Sequence, residues 1–91
     1  ALRSARDELY AAWVNLERAT ITYGLDVRLE EIAQSGLEIV EAQYRQGTAD
    51  ALRMADARSD LLNARVQRTT ALQDIFVNRA AYRRAAGVPL W

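Results

Sequence analysis

Proline occurs once, at position 89, so nothing before it removes a backbone donor or forces a ring clash inside a helix. Residues 2–46 are dominated by Ala, Leu, Glu, Gln and Arg, all of which favour helix. Their apolar spacing then sets the period. Leu25, Leu29, Ile32, Gly36, Ile39 and Gln43 step by four and three in alternation, and Leu2, Leu9, Leu16 and Tyr23 recur every seven residues. This is the 3.5-residue repeat of a coiled coil and not the 3.6-residue drift of a straight amphipathic helix.

Two zones punctuate the chain. In Tyr44-Arg45-Gln46-Gly47-Thr48-Ala49-Asp50, Gly47 suits the left-handed conformation that ends a helix. Thr48 is the expected cap of the next helix, and Asp50 favours its positive end. Gly87 and Pro89 stop the second helix, which runs through Leu52, Ala55, Leu62, Leu72, Ile75, Phe76 and Tyr82. The sequence therefore predicts one all-α domain over residues 1–91: helix 2–46, turn 46–49, helix 49–86 and tail 87–91. It is a long antiparallel, coiled-coil-like hairpin with arms of about 45 and 38 residues, or about 65 and 55 Å. Gly24 and the Ser35-Gly36 pair each cost about 1 kcal/mol relative to Ala, so they read as close-packing sites or a bend, with a break at Gly24 as the alternative.

The apolar faces are too wide for one contact. On the first helix Ile32, Gly36, Ile39 and Gln43 form one stripe, with Ala33, Leu37, Val40 and Tyr44 beside it. Each helix can then touch neighbours on two sides, which a lone hairpin does not provide. Small residues at Ala33, Ala42, Ala55, Ala64 and Ala71 permit close helix approach. The partners would be other copies or a remainder of a longer chain, and the amphipathic start at Ala1-Leu2-Arg3-Ser4 suggests a segment cut from such a chain.

Composition narrows the function. Twelve basic and twelve acidic residues balance to a net charge of zero, which gives no electrostatic footing for nucleic acid or an anionic membrane. All the bases are Arg, and the absence of Lys, Cys and His removes Schiff-base and thiol chemistry, disulfides and the usual zinc ligands. No catalytic residue, metal ligand or cofactor is expected. No uncharged apolar run approaches the roughly 18 residues of a membrane span, so the segment is expected to be soluble. Spacings such as Glu41 with Arg45 and Asp56 with Asp60 mix attraction and repulsion, as on a solvated face, and form no catalytic carboxylate dyad. Trp13 is expected to pack on a helix flank, and Trp91 lies at the end of the chain.

The segment Ala42-Gln43-Tyr44-Arg45-Gln46-Gly47-Thr48-Ala49-Asp50-Ala51-Leu52-Arg53-Met54-Ala55-Asp56-Ala57 resembles the TolC family of outer-membrane channels. In that family a helix ends in a Tyr-x-x-Gly turn, an apolar stretch leads to Asp-Ala, and a long Ala/Leu/Arg helix follows. Leu62-Asn63-Ala64-Arg65 and the closing Tyr82-Arg83-Arg84-Ala85-Ala86-Gly87 also look like its C-terminal helix. The resemblance covers nearly the whole chain. It implies the descending helix, periplasmic tip and returning helix of a homotrimeric channel in a Gram-negative outer membrane, part of a periplasmic α-helical barrel whose membrane β-strands lie outside this segment. Such channels serve multidrug efflux or type I secretion, fed by an inner-membrane transporter through a periplasmic adaptor (membrane fusion protein).

By the same resemblance, the adaptor docks at the tip positions Gln46, Gly47 and Thr48, although relatives often carry an apolar residue where Gln46 stands. The closed gate joins Tyr44 and Asp56 with a basic residue just after the turn. Ala49 occupies that basic position here, which leaves Arg45 or Arg53 as the candidate partner. Two other readings remain: a structural coiled-coil oligomerisation module without a transport role, and an all-helical enzyme resembling chorismate mutase, with Arg3, Arg6, Asp7 and Glu8 near its start. The enzyme reading is weakened because that family's site normally includes a Lys.

Overall fold

The computed structural model describes the backbone of residues 2–87 and the side-chain surroundings from Ser4 onward. Helix α1 spans Leu2–Arg45 and helix α2 spans Ala51–Ala85, with 44 and 35 residues respectively. Together they form an all-α hairpin, and no strand occurs among the described residues. Trp91 and the expected tail beyond Gly87 lie outside the described residues, as do the side chains of Leu2 and Arg3.

Both helices are one or two residues shorter at the turn than the spacing predicts. α1 ends at Arg45, not at residue 46, and α2 begins at Ala51, not at 49. Gly47 has φ +81° and reverses the chain, as its sequence position suggests. Thr48 then lies beside the end of α1. Its hydroxyl donates to the Gln43 carbonyl at 3.1 Å, so it caps the helix behind it. The expected role as cap of α2 falls to Asp50, whose Oδ1 accepts the Arg53 N–H at 2.9 Å three residues into the turn. The chain needs those two extra residues to complete its reversal before helical hydrogen bonding can restart.

Residues 25–69 form one compact unit. In it α1 buries Leu37 and Val40, and α2 buries Leu61 and Ala64. Half-buried Ala33 and Ala57 extend the same 3.5-residue seam on each helix. Glu30 and Arg68 occupy the next positions of the seam, and Arg68 Nε lies 2.6 Å from Glu30 Oε2. That oxygen is shielded from solvent, and the contact is a charge pairing without an aligned hydrogen bond. Beside it Arg65 donates to Gln34 Oε1 at 3.4 Å, and the Gln34 amide donates to Glu38 at 3.3 Å. Because Arg68 is 43% exposed, this polar layer contributes about 0–1 kcal/mol and serves mainly to oppose one charge with the other.

Among the described residues, 2–24 and 70–87 belong to the second unit. Its buried side chains are Ala19 on α1 and Ala71 and Ile75 on α2. Trp13 is half-exposed and pairs with Tyr10 at a ring-centroid distance of 6.3 Å, a tilted arrangement on the helix surface. The seam in both units is narrow, and among the described residues no side chain is withdrawn completely from solvent.

α1 continues unbroken through Gly24 and Gly36. A Cβ added at either position would meet nothing within 4 Å, so the close-packing role expected from the sequence is not realised within this chain. Neither glycine has a positive φ. Gly24→Ala is therefore expected to raise unfolding stability by about 0.5–1 kcal/mol, through helix propensity alone. Urea unfolding followed by circular dichroism checks this, and a loss of stability would place a contact against Gly24.

Candidate functional site at the hairpin tip

The tip is built by the end of α1. The Thr48 N–H reaches the Gln43 carbonyl at 2.9 Å and the Gly47 N–H reaches the Tyr44 carbonyl at 3.1 Å, the paired bonds of a Schellman motif closed by a left-handed glycine. The Gln43 carbonyl also accepts from Ala49 N at 3.3 Å and from the Thr48 hydroxyl, so one oxygen gathers the turn. The Gln43 side-chain Oε1 is shielded and has no hydrogen-bond partner among the described residues. Gln46, Gly47 and Thr48 are all exposed, leaving the three expected docking positions open on the outer surface of the turn.

The expected gate residues are not gathered into one cluster. Asp56 and Arg58 stand on either side of half-buried Ala57, and single steps of about 100° in opposite senses set them on opposite flanks of α2. Tyr44, 47% exposed, shares an open groove with Ala51, Met54, Ala55 and Arg58. Asp56 therefore lies on the flank away from Tyr44. Arg45 and Arg53 are exposed, and neither they nor Asp56 form an ion pair among the described residues. Arg53 takes part in the tip through its backbone N–H, held by Asp50.

Arg58 is the basic residue that the structure brings to the Tyr44 groove, and sequence reasoning about the turn overlooked it. The available signal was its place directly after the seam residue Ala57, which puts it on the flank that the end of α1 covers. The tip's groups are a phenol, guanidinium groups and solvated carboxylates, without a nucleophile and base in mutual contact. Among the described residues no group of His, Cys, Asp or Glu is placed to hold a metal ion, and no helix is long and apolar enough to cross a membrane.

The tip offers exposed backbone and small polar side chains, and the arms behind it leave Leu25, Ile32 and Ile39 on α1 about 60% exposed. In the expected pair of stripes on α1, the one through Leu37 and Val40 is buried and the one through Ile32 and Ile39 is open. No family model, curated protein or solved structure matches the chain.

Proposed function

We propose that the chain is the tip and adjoining tunnel wall of a TolC-like outer-membrane channel, a homotrimer in its full-length parent that serves efflux or type I secretion. The observation that carries this reading is the tip. A helix closes on Gly47 with Tyr44 three residues before it, and the chain returns within a few residues into a second long helix of matching period. The reading assigns the segment to the periplasm and attaches it to the membrane only through strands outside this sequence. It assigns no covalent chemistry and no nucleic acid partner.

In this reading the exposed Gln46, Gly47 and Thr48 meet a periplasmic adaptor, which links the channel to an inner-membrane transporter. Tyr44 and Asp56 belong to the closed gate. Since they face opposite flanks, each pairs with a neighbouring hairpin, and opening separates hairpins from one another instead of prising α1 from α2. Arg45, Arg53 and Arg58 are the guanidinium groups within reach of such neighbours.

The test is made on the full-length parent in planar bilayers. Asp56→Ala is expected to raise single-channel ion conductance by loosening the closed tip, and unchanged conductance removes Asp56 from the gate. A second reading, a free-standing coiled-coil module, draws support from the heptad seam alone. The parent reading frame separates the two. Strands of about 10 alternating residues and a second helix-turn-helix copy beside this segment support the channel. A frame without them supports the module.

A further inference from the structure

The chain has no Cys and one Met, so its sulfur chemistry is confined to Met54. Peroxide converts a thioether to a sulfoxide and so puts a polar group where an apolar one stood. Two features of its position decide what that change does here.

The first is the seam. On α2, Met54, Ala57, Leu61 and Ala64 step by three, four and three, the spacing of the face that packs on α1. Leu61 and Ala64 are buried, and Ala57 and Met54 are half-buried. Ala51, Leu52 and Arg53 are exposed, so Met54 is the first residue of α2 after the turn that is withdrawn from solvent. Ala57 beside it is too small to fill that end of the seam, which leaves the long Met54 side chain to do so.

The second is access. Met54 lines an open groove of about 170 Å³ together with Tyr44, Ala51, Ala55 and Arg58. At about 30 Å³ per water, that volume admits peroxide while the hairpin stays closed. A fully buried methionine is protected from oxidant, and a fully exposed one changes nothing when oxidised. Met54 is half-buried in the seam and open to the groove at once.

We propose that Met54 is a modification site, oxidised to the sulfoxide in the folded chain, and that the sulfoxide loosens the tip end of the hairpin. In the step, a sulfur lone pair attacks one oxygen of hydrogen peroxide and the O–O bond breaks. The departing oxygen takes the bond's electron pair and the proton of the transferred hydroxyl, and leaves as water. Sulfur is oxidised and peroxide reduced, with no further reactant. The new oxygen is an acceptor among the apolar atoms of the seam, and its donors in the groove are the Tyr44 hydroxyl and the Arg58 guanidinium. Turning toward them draws the side chain out of the seam. The inference uses no part of the channel reading and holds equally for a free-standing coiled coil.

The experiment treats the folded 91-residue chain with hydrogen peroxide, beside the same chain unfolded in urea, and reads the added oxygen by mass and fragment mapping. Met54 is expected to take one oxygen at a rate within about 10-fold of the unfolded chain. A slower folded-state reaction shows that the hairpin must open first and overturns the site. The oxidised chain is expected to unfold with an equilibrium constant about 5-fold larger, followed in urea by circular dichroism. Methionine sulfoxide reductase is expected to restore the original midpoint. A sulfoxide formed with the midpoint unmoved overturns the loosening. Met54→Leu keeps the volume and the helix preference, and its midpoint is expected to ignore peroxide. If that variant loses the same stability under peroxide, another side chain is responsible and the proposal falls.

Discussion

Leu61→Ala is expected to lower unfolding stability by about 2–3 kcal/mol, a large share of what a two-helix seam supplies. Leu61 is 5% exposed and sits between Ala57 and Ala64, neither of which can extend to fill the space its side chain leaves. The lower part of the range for Leu→Ala applies because α1 and α2 can close on a gap, as elements in a thicker core cannot. Leu62→Ala is the matched control. One residue away but 60% exposed, Leu62 is expected to lose less than about 0.5 kcal/mol. Urea denaturation of both variants gives the comparison. Equal losses would mean that α2 presents a different face to α1 in solution, and every flank assignment above would change with it.

The helices, their period and the turn at Gly47 were legible because each rests on local chemistry: absent proline, heptad spacing and a glycine where the chain reverses. Which α1 stripe would be buried was not. Both stripes have the same period, and the open one carries Leu25, Leu29, Ile32 and Ile39 against half-buried Ala33 and buried Leu37 and Val40. Hydrophobicity alone favours the wrong stripe. The phase is decided across the hairpin, where burying Ala33 and Leu37 also continues the seam to Glu30, opposite Arg68. Periodicity reports spacing within one helix and carries no information about the rotation of its partner.

The tip divides in the same way. Gly47 was legible because its conformation is an intrinsic backbone preference. The α2 cap is Asp50 and not Thr48, because both residues can serve a helix start and the choice depends on where the reversed chain carries them. With the reversal made, the Thr48 hydroxyl meets the Gln43 carbonyl and Asp50 meets the Arg53 N–H. The pairing of Tyr44 with Asp56 is implied by the family resemblance and does not follow from helix geometry. A single 100° step beyond or short of Ala57 decides the flank, so Arg58 reaches the Tyr44 groove and Asp56 does not.

Gly47→Val is expected to destabilise the hairpin by about 2 kcal/mol, as a β-branched residue held in the left-handed region incurs the full backbone penalty. Space is not the obstacle, since a Cβ at Gly47 would meet nothing within 4 Å. The strain arises from φ +81°, which Thr48 and Gly47 fix together by their bonds to the Gln43 and Tyr44 carbonyls. Gly47→Asn is expected to lose less than half as much, because Asn visits that region with local hydrogen bonding. The sharpest comparison is between two Gly→Ala changes in equally open surroundings. Gly47→Ala is expected to lower stability by about 1 kcal/mol after the gain from a stiffer unfolded chain is counted, while Gly24→Ala raises it. Opposite signs at two uncrowded glycines leave backbone conformation as the only difference. If urea midpoints move the same way for both, the left-handed turn is not what closes α1 in solution, and the docking proposed for Gln46, Gly47 and Thr48 loses its geometric basis.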